Sequence, residues 1–368
     1  MKFTVKRDSF LASLQMVTGV VERRHTLPVL ANLLFVLSED SLAITGTDLE
    51  VEITARVSTE TIGQTGKITA SARKLMDICR SLSEGSSIEF IVSDDKRLTV
   101  KSGRSRFTLS TLPADDFPII DLDPGDIEFS CPQTVIKRLL DATSFAMAQQ
   151  DVRFYLNGVL WEVEDNQLHC VATDGHRLAL CTQKLDIQVP EKVQAILPRK
   201  GVIEFSRLLK QDEGDVRANI GSHHIRLQTS AYTVISKLVD GKFPDYQSVL
   251  PRGGHNVLVS DRNELKKAFS RASILSNEKY RGVRLVLADN QLTIMASNPE
   301  QEEAEEHVVV DYSGDSVEIG FNVTYLQDVA GALTTDRIKM TLSDASSSAL
   351  LEEAENGNAV YVVMPMRL

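Results

Sequence analysis

The chain holds 368 residues, 42% of them hydrophobic and 25% charged, with 40 Lys and Arg against 51 Asp and Glu for a net charge of −11. At roughly 100–200 residues per domain this is a globular protein of about two or three domains, and the composition excludes a disordered, collagenous or coiled-coil chain. No apolar run reaches the roughly 18–20 residues of a membrane span, and Met1-Lys-Phe-Thr-Val5 reads as a strand rather than a leader, so a soluble, cytoplasmic protein without membrane contact is expected.

A short strand at 2–5 runs into an amphipathic helix at 6–17. Next comes an apolar extended run, Pro28-Val-Leu-Ala-Asn-Leu-Leu-Phe-Val-Leu37, closed by the polar Ser38-Glu-Asp40 and read as the first arm of a hairpin. The returning arm is Ser41-Leu-Ala-Ile-Thr-Gly-Thr-Asp48, and a second helix follows at 72–82. Strands at 87–92, 97–101 and 106–109 complete the unit. Pro, Gly and Asp gather at 118–125, which marks a boundary.

The same order then recurs. A strand at 127–130 leads to a helix at 132–146, with Pro132 at its start and Val135, Ile136, Leu139 and Leu140 on one face. The hairpin is Phe154-Tyr-Leu-Asn-Gly-Val-Leu-Trp161 with Gln167-Leu-His-Cys-Val-Ala-Thr-Asp174, and its helix spans 198–210. A second boundary lies near 244–254. The third round has a strand at 256–259, a helix at 261–275 that Asp261 can cap, a hairpin of Tyr280-Arg-Gly-Val-Arg-Leu-Val-Leu287 with Gln291-Leu-Thr-Ile-Met-Ala-Ser-Asn298, and a helix at 322–333. The eight-residue phrase returns after 126 and then 124 residues, always followed 23 residues later by a helix-type segment. Three internal repeats are therefore expected, at 1–122, 128–247 and 248–368, each an α+β unit with two helices against antiparallel sheet.

An acidic total argues against a simple polyanion binder, but charge sorts by element. The six helical segments carry +8 between them and the rest of the chain −19, so helices sharing one face would make that face basic. The first repeat also carries Lys96-Arg97 and Arg104-Ser-Arg106, while the third carries the acidic run Glu300-Gln-Glu-Glu-Ala-Glu-Glu306. Opposite charge on opposite terminal repeats points to head-to-tail association of two copies. Cys79, Cys131, Cys170 and Cys181, spaced by 52, 39 and 11 residues, match no metal or disulfide pattern and read as buried thiols; neither metal nor cofactor is expected.

Asp174-Gly-His-Arg177 sets an acid beside a base, yet Asp-Gly before an alternating strand is a hairpin signal, and groups so close in sequence rarely make a working dyad. Gly63-Gln-Thr-Gly-Lys67 lacks the phosphate-loop spacing. Catalysis is not expected. The apolar tail Met364-Pro-Met-Arg-Leu368 suits a surface that accepts several partners.

Thr45-Gly-Thr-Asp-Leu-Glu50, Ser102-Gly-Arg-Ser-Arg-Phe107, Thr173-Asp-Gly-His-Arg-Leu178, Ser236-Lys-Leu-Val-Asp-Gly-Lys-Phe-Pro-Asp-Tyr246, Ile274-Leu-Ser-Asn-Glu-Lys279, the run at 298–306 and the tail Tyr361-Val-Val-Met-Pro-Met-Arg-Leu368 together resemble the family of bacterial DNA polymerase III beta subunits, the DNA sliding clamps, over the whole chain. The resemblance implies three domains of the DNA-clamp fold and a ring-shaped, head-to-tail homodimer that encircles double-stranded DNA without sequence preference. It also implies tethering of replicative and translesion polymerases, the clamp loader and other proteins through short linear motifs.

By that resemblance the peptide-binding pocket would comprise Leu156, Thr173, Gly175, His176, Arg177 and Leu178 of the second repeat, Pro244 and Val249 of the linker, and Asn322, Tyr325, Val362, Met364, Pro365 and Met366 of the third. Ser346 stands where the family often has an apolar residue. DNA would meet Arg24, Arg73, Arg80, Gln150, Tyr155, Arg199 and Lys200, with Phe154 and Tyr155 either stacking on single-stranded bases or belonging to the core. The dimer seam would use Lys74, Arg104, Arg106, Phe107 and Leu109 against Ile274, Leu275, Glu300, Glu302, Glu303 and Glu306. A repeat-built hydrolase and a monomeric peptide-binding scaffold are the competing classes.

Overall fold

The computed structural model describes residues 1–22, 27–93, 97–121, 127–187, 189–210, 214–355 and 357–367. Among them are six α-helices: α1 (Arg7–Val17), α2 (Ala72–Ser81), α3 (Gln133–Thr143), α4 (Arg199–Leu208), α5 (Arg262–Ala272) and α6 (Val323–Ala332). Each begins one residue or less from its expected start. Three residues cap their helices: Ser71 Oγ accepts the N–H of Lys74, Asp261 Oδ1 that of Glu264 at 2.8 Å as expected, and Asn322, expected inside its helix, accepts that of Thr324 at 2.9 Å through Oδ1. α3 and α5 stop three residues early, where the chain tightens into the 3-10 turns Ser144–Ala146 and Ser273–Leu275.

The hairpin arms start later than expected. Their strands begin at Asn32, Gly158 and Gly282. Pro28–Ala31 and Phe154–Leu156 wind into 3-10 turns, the first favoured by Pro28 at its opening position and the second closed by Leu156 N–H to Arg153 O at 2.9 Å.

The chain packs as two compact units, and neither matches a single repeat. The first is Met1–Thr134 with Lys200–Leu238; the second is Val135–Arg199 with Val239–Leu368. The first unit carries one 13-stranded sheet, the second a 9-stranded and a 4-stranded sheet. Antiparallel pairing across the repeats explains this grouping. Tyr232–Lys237 of the second repeat adds to Val51–Val57 of the first, from Tyr232 opposite Ala55 to Ser236 opposite Val51. In the other unit Ala359–Val363 adds to Arg177–Lys184, from Ala359 opposite Cys181 to Val363 opposite Arg177. Each junction thus joins the closing strand of one repeat to the strand that follows the recurrent phrase in the repeat before it.

The cores form where the periodicities place them. In the first unit Phe3 stacks on Phe90 at 4.8 Å between ring centres and Phe10 meets the same ring at 4.9 Å, each burial contributing about 1.5–3 kcal/mol. Arg7, first residue of α1, donates to the carbonyl of Cys79 near the end of α2, and Arg262, first of α5, donates to those of Ala330 and Leu333 at the end of α6. All four cysteines are free and buried, and burial pushes the thiols of Cys79 and Cys131 up to about 12 and that of Cys181 to about 11. They are inert thiols.

Candidate peptide pocket and charged faces

The strand Gln167–Thr173 ends in a turn whose bonds are set by two side chains. Thr173 Oγ1 donates to Arg177 O at 2.6 Å and accepts Gly175 N–H at 3.1 Å. Asp174 Oδ1 accepts the N–H groups of His176 and Arg177 at 2.9 and 3.0 Å, and Oδ2 takes Arg177 Nε–H at 3.1 Å. The carboxylate beside His176 builds the turn and is turned toward backbone and guanidinium. Gly175 takes a φ of +89°, a conformation that favours glycine.

This turn rims a cavity of about 250 Å³. Nine of the fourteen expected residues line it: Leu156, Thr173, Gly175, Arg177, Leu178, Pro244, Val249, Val362 and Met364. Beneath lies a buried cluster of Leu160, Val171, Leu178, Ile196, Phe243, Tyr246 and Val362. Val249 and Met364 stay about half exposed, so the rim is apolar and open to solvent.

The other five expected residues have different places. His176 offers its carbonyl to Met364 N–H at 3.0 Å. Asn322 caps α6, and Tyr325 lies under Arg177 with the guanidinium 4.5 Å from its ring centre. Pro365 does not line the cavity. Met366 donates its N–H to Gly320 O and lines, with Arg284, Met295 and Glu305, a second cavity of about 820 Å³. Arg153, Tyr155, Tyr246 and Ser348 complete the first lining. Of these Tyr246 was legible, two residues beyond Pro244 in one motif. The polar corner is Ser348, because Ser346 folds back with its N–H and hydroxyl on Asp344 at 2.7 and 2.8 Å.

Two buried networks hold the walls. Arg177 donates to Asp328 on α6 at 2.5 Å and to Phe145 O at 2.7 Å, with its guanidinium over the rings of both Phe145 and Tyr325. Glu162, with no exposed surface, accepts from Tyr246 at 2.7 Å, Gln194 at 2.6 Å and Lys192 at 2.9 Å. Burial opposes its ionisation, yet those donors hold its carboxyl below the ordinary range, while burial and the same carboxylate push the Tyr246 phenol up.

The residues expected to meet DNA are unequal. Arg24 lies outside the described residues. Arg73 and Arg80 on α2 are exposed, Arg73 standing 3.8 Å from Asp77. Gln150 is exposed at a φ of +56°. Tyr155 lines the apolar pocket, whereas Phe154 is 71% exposed. Arg199 is half-buried. Lys200 is committed to Asp48 and Glu22, whose carboxylates raise its pKa against the effect of burial, and Arg207 donates to Glu204 and to the carbonyls of Gln15 and Met16. A charge count by helix therefore overstates the free positive charge of α4.

Of the expected seam residues, Lys74, Arg104, Arg106, Glu300, Glu302 and Glu303 are exposed, Phe107 and Leu275 half-buried, and Leu109 buried. Ile274 is 74% exposed. Glu306 is held by Arg271 at 2.5 Å, which lowers its carboxyl pKa. Among the described residues, Glu303–Val309 ends its four-stranded sheet with one edge unpaired, and Ser105–Leu112 is paired on its outer side only at Thr111 and Leu112. Among the described residues no group of three or more metal-binding side chains converges, and no helix is long and apolar enough to cross a membrane.

The family description "DNA polymerase III beta subunit, N-terminal domain" matches residues 1–121, the central domain 130–245 and the C-terminal domain 247–367. The beta sliding clamp of Pseudomonas putida is 57% identical over 368 residues and that of Escherichia coli K12 51%, each covering all of both chains. The crystal structure of the DNA polymerase III subunit beta from Pseudomonas aeruginosa matches with a TM-score of 0.97 at 56% identity over all of both chains. A sliding clamp of the same organism bound to griselimycin matches equally well.

Proposed function

The chain belongs to the DNA polymerase III beta-subunit family, and from that premise we propose that it is a processivity clamp. Two copies close head to tail into a ring around duplex DNA, slide without reading sequence, and tether DNA polymerases through the apolar pocket. The observation that carries this reading is the repeated junction. Two of the three repeats hand a strand to the repeat before them within the chain; the third instance has a donor edge at Ser105–Leu112, covered only at Thr111 and Leu112, and an acceptor edge at Glu303–Val309, unpaired among the described residues. Joining them between two copies pairs Arg104 and Arg106 with the acidic run and closes a two-fold ring.

On this reading the domains are 1–122, 128–247 and 248–368. Topology does the holding, so the inner face needs only diffuse attraction to phosphate, supplied by Arg24, Arg73, Arg80, Gln150 and Arg199, with Lys200 balancing Asp48 and Glu22. Lys74 joins the seam charges, and Phe107, Leu109, Ile274 and Leu275 form its apolar part. Partner peptides of polymerases and the clamp loader anchor in the lined cavity and extend over His176, Asn322, Tyr325, Pro365 and Met366. The protein performs no catalysis and works in the cytoplasm.

Retention on DNA tests the proposal. Once loaded, the dimer should persist on nicked circular duplex and run off linear ends, with a lifetime on circles that depends weakly on salt until the seam opens. Equal, salt-sensitive loss from both forms, or a monomer at micromolar concentration, would overturn it.

A further inference from the structure

The turn that rims the pocket has a counterpart 126 residues earlier, built with the same bonds. Thr47 Oγ1 donates to Val51 O at 3.0 Å and accepts Leu49 N–H at 3.1 Å; Asp48 Oδ1 accepts Glu50 and Val51 N–H at 2.9 and 2.7 Å. The surrounding elements correspond as well. Leu30, Leu34, Phe117 and Pro118 stand 126 residues before Leu156, Leu160, Phe243 and Pro244, so part of the floor and the linker wall have counterparts in the first repeat, where Thr45, Glu52, Ala70 and Ser236 replace Val171, Leu178, Ile196 and Val362 and make the groove narrower and more polar.

One position differs decisively. Where the second repeat has Gly175 at a φ of +89°, the first has Leu49 at +78°. A bulky residue is rarely placed there, because its Cβ meets the backbone. Leu49 tolerates the conformation because its side chain packs on the cluster of Val29, Leu30, Leu34 and Phe117. A Cβ at Gly175 would instead point toward Arg153 on the pocket wall, 3.2 Å from Nη2.

We propose that the first repeat contains a second groove of the same construction, occupied by Leu49 of the chain itself, so that this residue confines peptide binding to one site per chain. Leu49 plays in the first repeat the part that an aliphatic anchor of a partner peptide plays in the second. The wall is drawn shut by Glu52, which stands where the second repeat has Leu178 and accepts the N–H of Ile120 from the linker at 3.0 Å.

The inference rests on the pocket being the peptide site, and its test separates the two. A leucine-bearing synthetic peptide is titrated calorimetrically against the dimer. Transferring the plug, Gly175→Leu, should weaken binding at least tenfold, and several-fold more than Gly175→Ala, which carries the same backbone cost without the plug. Removing the plug, Leu49→Gly, should raise the stoichiometry from one peptide per chain to two. Wild-type binding with Gly175→Leu unchanged, or a folded Leu49→Gly that still takes one peptide, overturns the plug alone. A wild type that takes no peptide overturns both readings. If Leu49→Gly fails to fold, the Gly175 pair decides.

Discussion

Tyr246 donates its hydroxyl hydrogen to Glu162 across 2.7 Å, and the carboxylate that receives it has no exposed surface at all. The pocket wall thus stands on a buried charge, itself answered by Lys192 and Gln194. Glu162→Gln should destabilise the protein by about 1–3 kcal/mol at neutral pH, because it leaves buried donors poorly matched. The folded carboxyl titrates below its ordinary value of 4.5, so this stabilisation is present above that value and is lost as pH falls through the lowered one. Denaturant melts of the two proteins should converge on acidification, and a gap that widens would contradict the assignment.

Glu52 runs the other way. Burial raises its carboxyl pKa, the bond from Ile120 N–H offsetting only part of that effect. A raised group favours the fold below its ordinary value of 4.5 and loses that contribution as pH rises through the folded value. Glu52→Gln should therefore be more stable than the wild type at pH 7, and the advantage should vanish below the ordinary carboxyl range. Thermal melts at several pH values would expose an error of sign.

Ile274 and Leu275 follow α5 in a 3-10 turn, and Ile274 already faces solvent in the single chain. Replacing both with Ala should leave the fold intact while weakening the dimer by about 2 kcal/mol or more. Sedimentation at low micromolar concentration should report a folded monomer, with a melting temperature lowered only by the loss of association. An intact dimer would remove these residues from the seam.

Truncation after Val363 removes Met364 from the pocket rim and Met366 from the neighbouring cavity. Loss of such apolar anchors typically costs about 2 kcal/mol, roughly thirtyfold in affinity. Peptide titration should show that loss while the sedimentation of the dimer stays unchanged. Dissociation of the dimer would make the tail structural.

The repeats and all six helices were legible because each rests on local chemistry, whereas the pocket residues were reached only through the family resemblance. Asp261 and Asn322 cap helices as their residue types require, and the Thr-Asp phrase forms the same bonded turn at Thr47 and Thr173. The rest depended on partners distant in sequence. Nothing near Lys200 reveals that Asp48 neutralises it from 152 residues away, and Tyr155 reads as a stacking platform until its ring is found against the pocket. Hairpin starts were misjudged where apolar composition suited a strand but Pro28 and the Arg153–Leu156 bond favoured a tight turn.

The interleaving of the two packed units also bears on how the chain is made. The strand Val51–Val57 is complete early in synthesis, but its ladder partner Tyr232–Lys237 is translated some 175 residues later. At about 5–20 residues per second that edge stays bare for roughly ten seconds or more. Residues 135–199, produced in the interval, belong to the other unit and cannot cover it. An apolar strand edge left open that long is a site for misassociation between nascent chains. During vectorial synthesis that edge therefore has no ladder partner until the closing strand of the second repeat emerges.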